Sequence, residues 1–303
     1  MAYLLSIFAN NILPILLAAG AGYLVSKYTD IQPRSISLLA FKIFIPCLLF
    51  ELLTTSQLGN DDILRMGGFT LVSIGLLGIV SWLIFRIIGF QRRMLSALLL
   101  VTIFGNAGNY GLSLNKFAFG DTALAYASVY FSISIILINT LGLIIANLGT
   151  TNLRKGLLEL LKTPAVYALG FAVFFNLTGW KLPMPIDRTV SALSDAAIPT
   201  MLVLMGVQLF HSPRIAQQGT LLLASGVKLL LSPLVALPIA LLFGLKGPAF
   251  QAGISEAAMP TAVLMAVVAT EYDSEPAFVT LAVVLSSLLS PLTLTPILAL
   301  LGA

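Results

Sequence analysis

Three glycines and two asparagines fall within the seven residues Gly105–Gly111, inside a long apolar stretch. Glycine costs about 1 kcal/mol relative to alanine in a helix interior, so this cluster predicts a break in a membrane-spanning helix. Such a break must face protein or a water-filled cavity, where it offers backbone N–H groups to a carboxylate and carbonyl groups to a cation. We therefore assign Asn106, Gly108, Asn109 and Tyr110 to substrate binding. Their alternative role is to satisfy the backbone of the break itself.

A second stretch, Gly253–Thr261, carries Glu256 four residues before Pro260. Proline lacks a backbone donor and clashes with the preceding turn, so Pro260 predicts a second break that frees carbonyl groups near Glu256. A carboxylate within a membrane is costly and marks a functional site by default. We assign Glu256 to the coupling ion, as a cation ligand or a proton carrier, and Met259, Pro260 and Thr261 to the substrate. A structural pair with a lysine, or a position nearer the interface, is the alternative for Glu256.

Other polar residues also lie within apolar runs. Lys42 and Asp195 are interpreted as an ion pair that joins two helices, and Lys228 as a partner of Asp195, Glu256 or an anionic substrate. A stripe of polar residues in one later run is predicted either to face the breaks or to pack against neighbouring helices. The stripe consists of Ser128, Ser132, Ser134 and Asn139.

The composition places the chain in a bilayer. Of its 303 residues, 58% are hydrophobic and 9% are charged, and the mean hydropathy is +1.02. A soluble domain carries about 25% charged residues. The net charge of +4 resides in short loops between apolar runs, which indicates membrane topology and no nucleic-acid partner. Single cysteine and histidine residues, Cys47 and His211, leave no disulfide and no His/Cys metal site. We predict no cofactor and no enzymatic activity.

Ten apolar runs approach the length of about 20 residues that spans a bilayer. They are 4–25, 35–53, 66–88, 94–119, 122–148, 164–177, 189–210, 219–243, 248–270 and 276–301. The first run is too long for a signal-peptide core and is interpreted as a retained helix. We predict an all-α membrane protein of ten helices: a first five-helix repeat over 1–150, a cytoplasmic linker over 151–163, and a second repeat over 164–303.

The two predicted repeats share features at one spacing. A shift of 153 residues carries Pro46 onto Pro199 and Lys42 onto Asp195. The same shift carries Asn106 onto Met259, so the two breaks coincide. Because each repeat has an odd number of helices, the repeats are inverted relative to each other, as in many secondary transporters. The broken helices 4 and 9 are then predicted to cross near the midplane.

Loop charges predict an orientation. The loops after the odd-numbered runs carry more Lys and Arg than those after the even-numbered runs. The positive-inside rule then puts the former in the cytoplasm and both termini on the non-cytoplasmic side. We expect an integral protein of the bacterial inner membrane.

The two break motifs, Gly105–Gly111 and Ala257–Thr261, resemble the paired crossover motifs of the auxin efflux carrier family, and Lys42–Phe50 resembles its proline-containing second helix. The likeness covers the whole chain and points to a prokaryotic member. It implies two inverted five-helix repeats, a scaffold domain, a transport domain that moves in an elevator-like manner, and a homodimer. It also implies organic acids as substrates.

The same fold is shared with sodium–bile acid symporters. Their sodium-binding positions resemble Glu256, Asn109 and Ser132 here, and we assign Ser128, one turn before Ser132, to the same ion-coupling site. The coupling ion is left open between Na⁺, H⁺ and none. The predicted function is secondary transport of small organic anions, such as auxin-like or dicarboxylate molecules, by elevator-type alternating access. A sodium-coupled symporter of bile-acid-like anions is the alternative, followed by a passive channel and an intramembrane enzyme.

Overall fold

The computed structural model describes residues 2–55, 58–146, 164–211 and 218–303. The predicted linker, 151–163, lies outside these residues. The described residues are almost entirely helical, and their one isolated β-bridge joins Gly105 to Thr261. The prediction of an all-α membrane protein is confirmed.

Twelve helical segments are used below. They are α1 (Tyr3–Tyr28), α2 (Pro33–Thr55), α3 (Asn60–Ile88), α4 (Arg92–Ile103), α5 (Ala107–Ala146), α6 (Pro164–Thr178), α7 (Met184–Asp195), α8 (Ala197–Phe210), α9 (Gln218–Leu242), α10 (Gly247–Ala257), α11 (Leu264–Glu271) and α12 (Pro276–Leu301). Within α5, Gly120 has φ 79° and kinks the chain between two of the predicted runs.

Seven helices of the described chain are long and apolar enough to cross a membrane. These are α1, α2, α3, α5, α9, α12 and the joined pair α7–α8. Each of the ten predicted runs overlaps a described helix, and the remaining segments α4, α6, α10 and α11 are shorter. The count of ten spans and their inverted arrangement remain predictions.

Both matched prolines follow a local distortion of their helix. In α2, a widened turn with i→i+5 hydrogen bonding, Ala40–Phe44, comes just before Pro46. The joint between α7 and α8 lies at Ala196, three residues before Pro199. Proline causes such distortions because it cannot donate to the turn before it. The shift of 153 residues carries the α2 turn onto 193–197, which includes the α7–α8 joint.

Helices α1 and α8 pack at the closest approach that a backbone allows. A Cβ atom on Gly22 would overlap the carbonyl oxygen of Val203, and one on Gly206 would overlap that of Ala19. Small residues permit this approach in membrane helices, where packing drives association. The chain ends also meet, since the Tyr3 hydroxyl donates to the Ala303 carbonyl oxygen at 3.1 Å. Tyr3 and Ala303 therefore lie close together.

Candidate functional site

The two interrupted helices meet and hydrogen-bond to each other at their breaks, and this junction is called the crossover below. The Asn106 N–H donates to the Pro260 carbonyl at 2.7 Å, and the Ala262 N–H donates to the Phe104 carbonyl at 2.9 Å. Gly105 and Thr261 lie between these bonds as an antiparallel bridge. Each break thus supplies partners for backbone groups that the other leaves open, which a break inside a membrane requires.

Glycines of the first break admit neighbouring side chains. A Cβ atom on Gly108 would lie 2.7 Å from the Phe131 ring, and one on Gly111 would overlap the Glu256 carboxyl group. The Asn106 carbonyl accepts from the N–H groups of Tyr110 and Gly111 at 3.3 and 2.9 Å, which begins α5 as a widened turn. The glycine cluster therefore serves close packing as well as the interruption.

The second break is held by side chains on both sides. The Thr261 hydroxyl donates to the Val101 carbonyl at 2.8 Å, and the Thr261 N–H donates to the Ser286 hydroxyl at 3.1 Å. The Met259 N–H donates to the Glu256 carbonyl at 3.2 Å. Both hydrogen-bond donors of Thr261, its hydroxyl and its N–H, therefore bond within the protein.

A cavity of about 760 Å³ begins at the crossover. Its inner end is lined by Asn106, Gly108 and Asn109, and its outer end reaches the helix ends at Arg34 and Thr270. This volume lies in the range of about 300–1,000 Å³ that holds small organic ligands. The first N–H groups of a helix have no partner within that helix, so the start of α5 presents donors here.

Several buried polar atoms on the cavity lining have no hydrogen-bond partner. They are Asn106 Nδ2, Asn109 Oδ1, Gln208 Oε1 and Ser287 Oγ. A buried polar group without a partner costs about 1–3 kcal/mol, so native proteins pair almost all of them. Four of the nine such atoms in the described chain belong to residues that line this one cavity.

The cavity lining is apolar with a positive outer end. Arg34 and Lys42 line it, and its described lining includes no Asp or Glu. The walls between the outer end and the crossover are formed largely by Ile135, Val263 and Val267, with their neighbours. This arrangement suits an anion that carries an apolar body.

A compact polar cluster fills the opposite side of the crossover. Glu256 is fully buried, and its Oε1 accepts from Asn115 Nδ2 at 3.1 Å while Oε2 has no partner. Asn115 also accepts from the Ser255 hydroxyl at 2.8 Å. Lys228 is 2% exposed and donates to the Ser232 hydroxyl at 3.4 Å. None of these residues lines the cavity.

The predicted substrate residues divide between two surroundings. Asn106, Gly108 and Asn109 line the cavity, whereas the others lie in packed protein. Those others are Tyr110, Met259, Pro260 and Thr261. Tyr110 is fully buried, and its hydroxyl accepts from Ser290 at 3.5 Å.

The predicted ion-coupling serines are buried in α5 and bond to their own helix. Ser128 donates to the Ala125 carbonyl at 2.7 Å, and Ser132 donates to the Ser128 carbonyl at 2.8 Å. Their stripe neighbour Ser134 lines the cavity, and they do not.

The predicted partners Lys42 and Asp195 are both exposed, and Lys42 lies on the cavity lining. Their ion pair stays a prediction. Lys228 lies beside the crossover, on the same side as Glu256.

Sequence reasoning missed three contributors to the cavity. Arg34 was counted only as a loop charge, and Gln208 and Ser287 were not singled out. Gln208 is a polar residue in the apolar run of α8, and Ser287 belongs to a serine row in α12. Polar residues within apolar runs were the signal that would have found both.

Comparisons with known proteins agree with this architecture. Residues 7–298 match the family described as membrane transport protein. An uncharacterized transporter of Methanothermobacter thermautotrophicus is 27% identical over 290 residues, which cover 94% of this chain and 95% of that protein. Probable auxin efflux carrier component 1b of Oryza sativa subsp. japonica is 31% identical over 143 residues, 45% of this chain and 26% of the rice protein. Auxin efflux carrier component 1 of Arabidopsis thaliana is 29% identical over 143 residues, 45% of this chain and 23% of the plant protein.

Proposed function

Because this chain belongs to the membrane transport protein family, the family of the auxin efflux carriers, we propose that it is a secondary transporter of small organic anions. The observation that carries the substrate class is the cavity, with Arg34 and Lys42 on its lining and no described carboxylate there. Positive charge along a cavity concentrates anions and excludes cations. The substrate is a carboxylate with an apolar body, which the aliphatic walls accommodate.

The anion carboxylate binds at the crossover. The amides of Asn106 and Asn109 and the first N–H groups of α5 offer hydrogen bonds there, and the positive end of a helix dipole favours negative charge. Hydrogen bonds to a charged group contribute about 1.5–3 kcal/mol each. The unpartnered Asn106 Nδ2 is a donor that a bound carboxylate can accept from.

A cavity that opens on one side of the crossover supports a carrier and disfavours a passive channel. The cavity runs from the crossover to Arg34 and Thr270, while the opposite side is closed by the buried cluster around Glu256. Transport then requires a rearrangement that closes one side and opens the other. The unit that moves is the crossover with the helices attached to it, in an elevator-like motion against the rest of the protein.

Glu256 serves the coupling ion in this proposal. A carboxyl group that is fully buried must carry a proton or lie near a cation, since burying an isolated charge is very costly. Proton and sodium coupling predict different driving forces, and a sodium-coupled symporter of bile-acid-like anions is the competing assignment. Its sodium dependence separates it from the main proposal.

The proposed topology places both termini outside the cytoplasm. The contact between Tyr3 and Ala303 supports termini on the same side, and the loop charges indicate that this side faces outward. The cavity then opens to the cytoplasm. We also expect a homodimer, which the cross-linked mass of the detergent-purified protein would measure.

Uptake into proteoliposomes tests the function. Labelled malate, malonate and indole-3-acetate are offered with sodium and pH gradients imposed separately. We expect saturable uptake of at least one acid, reduced about 10- to 100-fold in Asn109→Ala with folding unchanged. The matched control is Asn10→Ala, the same change at an exposed asparagine away from the cavity.

Three outcomes decide between the assignments. Sodium-driven accumulation that is lost in Glu256→Gln favours the symporter. Flux that does not saturate and shows no exchange favours a channel. Full transport by Asn109→Ala places the substrate elsewhere and refutes the site.

A further inference from the structure

Lys228 occupies a position in α9 from which its charge cannot reach water. It lies near the middle of the helix Gln218–Leu242 and is 2% exposed. It belongs to a widened turn, Val227–Leu231, of the kind often found at functional sites. A buried cation in a membrane span is costly and is retained for a reason.

The ammonium group lies directly behind the first break. Lys228 Nζ is 3.2 Å from the point where a Cβ atom on Gly105 would lie. Gly105 lines the cavity and Lys228 does not, so the bare backbone of Gly105 separates the charge from the cavity. The nearest polar partner of Nζ is the Ser232 hydroxyl at 3.4 Å, which donates its own proton to the Ala257 carbonyl. No carboxylate oxygen of the described residues lies within 4 Å of Nζ.

The carboxyl group of Glu256 does not line the cavity either. It contacts Gly111 and Asn115, which are both absent from the cavity lining. No direct ion pair joins it to Lys228 among the described residues. Lys228 therefore adjoins a residue of the cavity lining, whereas Glu256 is packed against residues outside that lining.

From this geometry we infer that Lys228 is an anion-positioning residue, whose fixed charge acts through the backbone of Gly105 on a carboxylate bound at the crossover. The inference rests on the proposed function, because it names a determinant of anion affinity at that site. Glu256 keeps the coupling-ion role of the proposed function and is not part of this inference. A purely structural Lys–Glu pair would instead affect charged and uncharged ligands alike.

The expected effect is large enough to measure. A unit charge within about 10 Å, at an effective dielectric constant near 20, changes the affinity for an anion by at least about tenfold. The lower affinity is measured as a higher KM for the anion, because the charge acts on binding from a distance and does not touch the substrate. An uncharged analogue of the same shape should be almost indifferent to it.

The experiment compares four variants with the wild type in proteoliposomes under equilibrium exchange, with no ion gradient. They are Lys228→Met, Glu256→Gln, the double variant, and the control Lys246→Met, whose lysine is exposed and off the cavity. The probe is the carboxylate of the panel that the wild type takes up fastest. Its amide serves as an uncharged competitor, and thermal stability in detergent reports folding.

We expect Lys228→Met to raise the KM of the acid at least about tenfold while the inhibition constant of the amide stays within twofold. Glu256→Gln shows what the loss of the ion-coupling carboxyl group does by itself to exchange, and it is the reference for the double variant. The double variant should keep a raised KM, and Lys246→Met should match the wild type. The double variant also keeps the test valid if Lys228→Met does not fold, because it leaves no buried charge unpaired.

Two results would overturn the inference. One is a double variant with the wild-type KM for the acid, which identifies a structural pair. The other is an equal loss of affinity for the acid and for the amide in Lys228→Met, which identifies a distorted cavity. Where Lys228→Met does not fold, the double variant provides this comparison. A wild type that takes up no carboxylate would instead refute the proposed function itself.

Discussion

The two breaks at the crossover are built from different residues and leave different groups available. The first break uses glycines and asparagines, and Asn106 Nδ2 and Asn109 Oδ1 remain without partners beside the cavity. The second uses Pro260 and Thr261, and Thr261 donates both its hydroxyl proton and its N–H within the protein. The first break is thus suited to binding and the second to holding the crossover together.

Mutations at the two breaks should therefore affect different properties of the protein, transport in one case and stability in the other. Changes at the asparagines should lower transport without unfolding the protein. Changes at the second break, or at the glycine that accommodates Glu256, should lower stability first. The following variants test that division, from the largest effect to the smallest.

Gly111→Ala is expected to destabilise the protein most. Its Cβ atom would overlap the Glu256 carboxyl group, which is fully buried and bonded to Asn115. Overpacking and the lost hydrogen bond together predict a cost of about 3 kcal/mol or more. The measurement is the apparent melting temperature in detergent. The control is Gly75→Ala, where a Cβ atom meets nothing within 4 Å, and a similar loss there would remove the explanation.

Thr261→Val is expected to destabilise the second break while leaving the cavity intact. The change leaves the Val101 carbonyl without its donor, which predicts a cost of about 1–2 kcal/mol. The KM for the transported acid should stay within about twofold of the wild type. Thermal melting and uptake kinetics measure the two effects separately.

The control for Thr261→Val is Thr189→Val, since the Thr189 hydroxyl is exposed and bonds only within its own helix. A raised KM at unchanged stability in Thr261→Val would contradict the division between the breaks. Thr261 would then belong to the substrate site after all.

The sequence was sufficient to locate both breaks because their causes are local. Glycine and proline weaken a helix wherever they stand, so Gly105–Gly111 and Pro260 were recognisable without any tertiary information. The bilayer constrains the rest, since unpaired backbone groups in a membrane need partners. The mutual hydrogen bonds between Asn106 and Pro260 and between Phe104 and Ala262 follow from that requirement.

The sequence does not show which polar side chains at the breaks remain available to a ligand. The roles of Tyr110 and Thr261 depend on Ser290 and Val101, which lie 180 and 160 residues away in the chain. Glu256 was recognised as a buried carboxylate, but its place behind the cavity depends on contacts with Gly111 and Asn115. The periodicity of apolar residues shows which face of a helix is buried. It does not show which residues pack against that face.

Arg34→Gln is expected to have the smallest effect, because Arg34 is exposed at the outer end of the cavity and meets the anion only on its way in. Charges in water interact weakly, by less than about 1 kcal/mol, and salt screens them within about 10 Å at 0.1 M. We expect the KM to rise about two- to fivefold at low ionic strength and to return to the wild-type value in high salt. Arg188→Gln, an exposed arginine off the cavity, is the control.

The salt dependence distinguishes attraction at the entrance from binding at the crossover. A KM increase in Arg34→Gln that persists at high ionic strength would mean that Arg34 contacts the bound anion. The substrate would then extend from the asparagines to the outer end of the cavity, and the contrast between the two breaks would no longer define the site. A salt-sensitive change agrees with binding at the first break, where Asn106 Nδ2 has no partner within the protein.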